Sequence, residues 1–246
     1  MPALPPARVF PEHRLSWFVG IEDTCVYPRS TDAFDPLDEH DLTGHTRLWR
    51  SDIDRIVDLG VDGVRYGMSW PKVHVAPGRY DWRALDPALE RLHSHKIHVI
   101  ADFVHYGCPP WLEGSFVDDG FVDTLTEFAT AAVDRYGSAI GSVTPINEPL
   151  TTASFCGLRT VWPPALGSWD GWAQVLTSLA AGAQSVIHAV RSISPATAMV
   201  HVEAAHLYEA GPAHQSEVRH LSRLGDLATD LILGRIGPGH PLWSWL

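Results

Sequence analysis

Short apolar runs alternate with longer amphipathic stretches along the whole chain, and this alternation constrains the fold more than any other feature. Apolar runs separated by helical patterns are typical of repeated strand-then-helix units around a parallel sheet. The chain has 246 residues, of which 45% are hydrophobic, so one sizeable core is expected, and no linker or shift in composition divides it. The sequence therefore predicts one α/β domain.

Five strand-helix units account for the sequence. The predicted strands are 16–22, 63–67, 97–104, 142–146 and 198–203, and the predicted helices are about 45–59, 83–95, 121–136, 172–193 and 215–233. At roughly 40 to 45 residues a unit, eight units would need on the order of 350 residues, which is within the range of TIM (β/α)8 barrels. We expect an incomplete barrel of about five units over residues 16–246, preceded by a flexible lead-in at 1–15.

The C-terminal residues support the expectation of a fold cut short. They form an apolar cluster where a domain usually ends in exposed polar residues: Leu242, Trp243, Trp245 and Leu246. An open barrel edge would also favour self-association or pairing with a completing chain.

Charge and cysteine content exclude several classes of protein. The 18 Lys and Arg against 29 Asp and Glu give a net charge of -11, which disfavours nucleic acid and membrane surfaces as partners. The three cysteines, Cys25, Cys108 and Cys156, show no zinc or redox spacing, and no apolar run resembles a signal peptide. No GxGxxG dinucleotide-binding motif follows the first strand, which disfavours an NAD-linked enzyme. We therefore expect a cytoplasmic protein without a metal or cofactor, acting on a small molecule.

Polar residues follow the predicted strands, and parallel barrels place their active sites at these carboxyl ends. They are Glu22, Arg65, His105, Asn147, Glu148 and Glu203. Asn147-Glu148-Pro149 is the strongest local signal, since a fixed Glu beside an amide suits a general acid on a hydroxyl-bearing substrate. Taken alone, the tripeptide is better explained as an ordinary turn with Asn as a helix cap.

Four segments in order resemble glycoside hydrolase family 1, the β-glucosidase-like family. They are VRYGMSWPKVHVAPGRYDWRALD, ADFVHYGCPPWL, FVDTLTEFATAAVDRYG and TPINEP, and they span about 45–150. The resemblance implies retaining hydrolysis of the O-glycosyl bonds of β-glycosides, with Glu148 as acid/base and Asn147 on the sugar 2-hydroxyl. It also implies that His105 binds a neighbouring hydroxyl and that Arg65 lies beside the nucleophile.

The chain departs from the family pattern at three places. Tyr106 and Gly107 follow His105 where the family usually has Trp, and the first-strand Gln and Glu pattern is not recognisable in GIEDTCVYP. No Thr-Glu-Asn-Gly-like segment carrying the strand-seven nucleophile occurs. One carboxyl group alone should give little turnover, because retaining hydrolysis uses two. The residues of the motifs resemble those of a divergent bacterial branch of the family, whose longer members carry a dTDP-4-dehydrorhamnose reductase-like domain.

Alternatives remain for the site and for the function. Arg65 could be a structural ion-pair partner and His105 a turn histidine, whereas Trp70 and Trp111 are expected to pack and not to bind sugar. Glu203 is expected to contact substrate or to support the residues that do. The alternative function is a non-catalytic carbohydrate-binding or assembly unit of a barrel.

Overall fold

A computed structural model describes residues 14–243. Its main sheet has five parallel strands in chain order: β1 (Phe18–Ile21), β2 (Gly63–Gly67), β3 (His98–Asp102), β4 (Ile140–Thr144) and β5 (Ala198–Met199). Each strand pairs with the next, so that Arg65 lies beside Gly20 on one side and Ile100 on the other. This is the strand arrangement of an incomplete (β/α)8 barrel, as predicted.

One helix follows each strand: α1 (His45–Asp58), α2 (Asp86–Ser94), α3 (Phe121–Tyr136), α4 (Trp169–Ile193) and α5 (Gln215–Ile232). Pro87 lies in the first turn of α2, where its missing N–H costs nothing. The hydroxyl of Ser168 accepts a hydrogen bond from the Gly171 N–H at 2.9 Å and so caps the start of α4.

Shorter elements lie in the loops between the main strands and helices. Two antiparallel ribbons pair Cys25–Val26 with Leu37–Asp38 and His74–Ala76 with Arg79–Tyr80. Short helices lie at Glu39–Leu42, Trp70–Val73 and Pro149–Ala153, and single turns of other helix types lie at Ser115–Val117, Ser154–Leu158 and Pro212–His214.

The largest difference from the sequence prediction lies at one edge of the sheet. The fifth strand was predicted to continue to residue 203, but it ends at Met199 and resumes only as a bridge between Asn147 and Val202. The first and third strands are each three residues shorter than predicted, and the fourth begins and ends two residues earlier than predicted. Edge strands have partners on one side only, so their apolar pattern overestimates their paired length.

Strand alternation separates a helix-facing side from a barrel-facing side. Val64 and Tyr66 are fully or nearly buried, whereas Arg65 points to the opposite side of the same strand. The helices also pack closely, since a Cβ at Gly182 of α4 would lie 2.9 Å from Phe121 of α3. Trp70 is 1% exposed, and its ring centroid lies 6.0 Å from that of Phe128, so it packs in the core as expected.

The ends of the chain bear on two further predictions. Residues 1–13, most of the expected lead-in, lie outside the described residues, while Arg14 forms an ion pair with Asp62. Of the C-terminal apolar cluster, Leu242 is buried and Trp243 is half exposed, and Trp245 and Leu246 lie outside the described residues. None of the helices within residues 14–243 combines the length and apolarity needed to cross a bilayer.

Candidate active site

Arg65 is the hub of a charged network at the carboxyl ends of the strands. Its Nη1 donates to Glu22 Oε1 at 2.5 Å, and its Nη2 donates to Asp102 Oδ2 at 2.6 Å and to Asn147 Oδ1 at 2.5 Å. These partners follow β1, end β3 and follow β4. Arg65 thus binds groups from three other strands, and the ion-pair role considered for it from sequence is present in the structure.

The same network fixes His105. Its Nδ1 lies 2.7 Å from Asp102 Oδ2, and its Nε2 lies 3.3 Å from Asn147 Nδ2. Because Asn147 Oδ1 already accepts from Arg65, its Nδ2 donates, so the network assigns the His105 proton to Nδ1. The Asn147 N–H donates to the Val104 carbonyl at 2.8 Å. Asn147 and His105 are 2% and 7% exposed, so both side chains are held in place inside the rim.

Glu148 stands next to this network in an uncommon backbone conformation. Its φ is 41° and its ψ 67°, in the left-handed region, and it precedes the short helix that starts at Pro149. A non-glycine residue there is strained by roughly 1 to 3 kcal/mol, and such residues cluster at functional sites. The Glu148 N–H donates to the Val202 carbonyl at 3.0 Å, which ties Glu148 to the segment after β5.

A tyrosine contacts the carboxylate of Glu148. The Tyr106 hydroxyl donates to Glu148 Oε2 at 2.6 Å. Burial, followed by the hydrogen bond to Glu148 and its charge, raises the pKa of the Tyr106 phenol above its ordinary range, so the phenol stays a proton donor at neutral pH. In the sequence Tyr106 stands out only as a departure from the family pattern, and no local signal indicates this contact.

Glu203 has a different environment from the residues of the network. Its two carboxylate oxygens accept from the Leu150 N–H at 3.0 Å and from the Ala204 N–H at 3.1 Å. Burial is the main reason that its pKa is raised to about 7, and the nearby charge of Glu148 adds to it. These contacts support the loop that carries Glu148, which is one of the two roles predicted for Glu203.

Asp102 is the main residue that sequence reasoning missed. It is 1% exposed and joins Arg65 to His105, yet it lies inside a run interpreted only as an apolar strand. A single carboxylate within such a run was the available signal, because a buried charge needs a partner. Trp111, expected to pack, is partly buried and donates its indole N–H to the His74 carbonyl at 2.6 Å.

A second acidic cluster lies beside the first ribbon. Ligand atoms of Asp23, Cys25 and Asp38 lie within 4.8 Å of one another, a spacing that could hold a metal ion. The carboxylates already have partners, since Ser69 donates to Asp23, and Lys72 Nζ lies 2.9 Å from Asp38 Oδ2. The lysine ammonium occupies the position of a counter-ion, so the cluster is satisfied as an ion pair.

The family assignment rests on most of the chain. The sequence profile of glycosyl hydrolase family 1 matches residues 40–236. The chain belongs to this family.

Two curated relatives match about half of the chain. β-Glucosidase A of Thermotoga maritima is 25% identical over 128 residues, which are 50% of this chain and 29% of that protein. The bifunctional β-D-glucosidase/β-D-fucosidase of Bifidobacterium breve is 24% identical over 147 residues, which are 52% of this chain and 32% of that protein. The matched part thus spans about a third of each relative.

Solved structures show the same fold. A β-glucosidase from Thermotoga maritima in complex with galacto-hydroximolactam superposes with a TM-score of 0.74 at 20% identity, over 88% of this chain and 55% of that one. A β-glucosidase from Exiguobacterium marinum gives a TM-score of 0.72 at 14% identity, over 85% of this chain and 54% of that one. The chain therefore covers about half of the barrel enzymes that it resembles.

Proposed function

We propose that this protein hydrolyses the O-glycosyl bonds of β-glycosides by a retaining mechanism, with Glu148 as the acid/base carboxylate. The single observation that carries the proposal is the network itself. Arg65, His105 and Asn147 follow or lie on three different strands, yet they form one hydrogen-bonded set beside Glu148. An accidental turn at Asn147 would have no reason to bind the two other predicted site residues.

The fixed side chains suggest a role for each residue. Asn147 and His105 are held rigidly and would bind sugar hydroxyls, while Arg65 would place its positive charge beside the nucleophile. Glu148 would protonate the glycosidic oxygen and later activate the hydrolytic water. Glu203 would contact substrate or support the Glu148 loop, and its bonds to backbone N–H groups favour support.

A retaining mechanism also needs a second carboxylate about 5 to 5.5 Å from the first. The Thr-Glu-Asn-Gly-like segment that carries it in the family does not occur among the 246 residues. We propose that the nucleophile comes from a part of the barrel outside these residues.

The sequence motifs also suggest the divergent bacterial branch of the family. The three free buried cysteines suit the reducing cytoplasm.

The second candidate is a carbohydrate-binding or assembly unit without turnover. Within residues 14–243 no strand pairs with the outer side of β1 or β5. Near β1, Leu15 and Trp17 are 76% and 66% exposed, and Leu207 beyond β5 is 85% exposed. Unpaired edges beside apolar residues favour self-association or a completing chain.

The test of the catalytic proposal is hydrolysis of aryl β-glycosides by a protein that contains these residues together with the nucleophile-bearing part of the barrel, as the wild type and as Glu148→Gln. Loss of the general acid should lower the rate by about 10²- to 10⁴-fold. The matched control is Glu127→Gln, since Glu127 lies on α3 and bonds to Tyr80 away from the network. Equal rates for wild type and Glu148→Gln would refute the catalytic role.

Binding measurements separate the second candidate from the first. A protein that only binds carbohydrate should release heat with simple β-glycosides in calorimetry and yield no free sugar. Sedimentation should show whether it associates through its open edges. A monomer that releases no heat with glycosides would exclude the second candidate.

A further inference from the structure

Tyr106 and Glu148 are two strained residues that contact each other from different strand ends. The φ angle is 72° at Tyr106 and 41° at Glu148, so both have left-handed backbones without being glycine. For a bulky aromatic residue this conformation is a clear outlier. Their side chains meet through the 2.6 Å hydrogen bond between the phenol and Glu148 Oε2. Two local strains therefore converge on one contact.

The ring of Tyr106 is confined by its neighbours. Its centroid lies 4.7 Å from that of His105 and 5.2 Å from that of Trp162, whose ring in turn contacts Phe155. The following residue, Gly107, is pressed against the first ribbon, because a Cβ there would lie 1.9 Å from the Cys25 carbonyl oxygen. The hydroxyl therefore has little freedom to leave Glu148.

We propose that Tyr106 is a positioning residue, whose hydroxyl holds Oε2 of Glu148 so that Oε1 delivers the proton to the glycosidic oxygen. The inference rests on the proposed function and adds a residue to it. Within residues 14–243, no hydrogen bond engages Oε1 of Glu148, whereas Oε2 is taken by Tyr106. The two oxygens of the carboxyl group are thus made unequal by the structure.

The chemistry gives this bond more strength as the reaction proceeds. In the first step the proton on Oε1 moves to the glycosidic oxygen, the bond from that oxygen to the anomeric carbon breaks, and its electron pair stays on the leaving oxygen. The nucleophilic carboxylate of the retaining mechanism bonds to the anomeric carbon. Glu148 becomes an anion, and a hydrogen bond to an ionised acceptor is roughly twice as strong as a neutral one. Tyr106 therefore stabilises the transition state more than the ground state.

The contact can be tested without turnover, by carbon NMR of the tyrosine Cζ atoms at neutral pH in the whole chain. Glu148→Gln should shift the Tyr106 resonance and leave Tyr80 unchanged. Tyr80 offers a matched control, since its hydroxyl donates to Glu127 Oε1 at 2.7 Å. Glu127→Gln should shift Tyr80 and leave Tyr106 unchanged. An unmoved Tyr106 resonance in Glu148→Gln would overturn the inference.

The role is tested in a protein that also contains the nucleophile, with β-glycosides whose leaving groups differ in acidity. For poor leaving groups, which need protonation, Tyr106→Phe should lower kcat by about ten-fold or more, as expected for loss of a hydrogen bond to a charged group. For dinitrophenyl glycosides, whose dinitrophenolate leaves without a proton, the glycosylation rate of Tyr106→Phe should stay within about two-fold of the wild-type rate. The Tyr80→Phe variant should hydrolyse both kinds of glycoside at the wild-type rate.

The outcomes distinguish this inference from the proposed function. Loss of hydrolysis in Glu148→Gln together with equal effects of Tyr106→Phe on all leaving groups would leave the glycosidase proposal standing and overturn the role of Tyr106. Because Tyr106→Phe keeps the ring, a merely structural role would not produce a dependence on the leaving group. A wild type that includes the nucleophile and still hydrolyses none of the glycosides would overturn both roles, while the NMR experiment would still decide the contact.

Discussion

The polar residues on β2 and at the ends of β3 and β4 bind one another, whereas within residues 14–243 the hydrogen bonds of Glu203 beyond β5 come from backbone N–H groups. In the first region side-chain hydrogen bonds join Arg65, Asp102, His105 and Asn147. In the second region burial decides the state of a single carboxyl group, and its pKa rises to about 7. Opposite charges thus fix the geometry at the centre of the sheet, and desolvation at its edge creates a group that titrates near neutral pH.

Removal of Asp102 should have the largest effect on stability. Asp102→Ala leaves the Arg65 guanidinium without its most buried partner and frees His105 Nδ1, so we expect a loss of about 3 kcal/mol in the free energy of unfolding. Urea denaturation followed by circular dichroism measures it. A loss below about 1 kcal/mol, the range of exposed ion pairs, would contradict the view that the central network is a structural unit.

The pH dependence of the free energy of unfolding should report the titration of the Glu203 carboxyl group. A carboxyl group whose pKa is higher in the folded protein than its ordinary value of 4.5 stabilises the fold while it is protonated, and this contribution is lost as pH rises through about 7. Glu203→Gln should therefore lose less stability than the wild type between pH 5 and pH 8. Urea unfolding at both pH values measures the difference, and parallel curves for the two proteins would contradict it.

The pKa of Glu203 should also depend on the charge of Glu148. The charge of Glu148 contributes to the raised pKa of Glu203, so Glu148→Gln should lower the midpoint of Glu203 from about 7. Carbon NMR of the Glu203 side-chain carboxyl follows this titration, with the exposed Glu217 as an internal reference. A midpoint that does not move would show that the two carboxyl groups do not interact.

An exposed ion pair should have the smallest effect. Arg135 pairs with Asp86 at 2.7 Å, with side chains 44% and 39% exposed. Arg135→Ala should lower the free energy of unfolding by less than about 1 kcal/mol, because solvent and salt screen such pairs. Thermal melts at low and high salt check it. A loss as large as that of Asp102→Ala would remove the contrast between buried and exposed charges.

The sequence predicted some elements with their observed bounds and overestimated the length of others. The third helix was predicted at 121–136 and is found there, because its apolar period and flanking glycines agree with its tertiary contacts. The second strand was also predicted with its observed bounds. The strand predicted to continue to residue 203 ends at Met199, since a strand paired on one side is not held by its apolar pattern alone.

The candidate site was predictable as a set of strand ends, but its bonds were not. Arg65, His105, Asn147 and Glu148 follow from topology and resemblance, because parallel strands bring their carboxyl ends together. The links through Asp102 and Tyr106 depend on where side chains point after the strands have twisted and packed. The left-handed backbones of Tyr106 and Glu148 carry no local signal in residue type, since neither is Gly, Asn or Asp.

A crystal structure of the chain with a non-hydrolysed thio-β-glycoside tests the central claim most directly. The account predicts the sugar at the rim, with hydroxyls within hydrogen-bond distance of Asn147 and His105 and the thioglycosidic sulfur beside Glu148. A sugar bound elsewhere, or Glu148 turned away from a sugar that contacts Asn147 and His105, would contradict it.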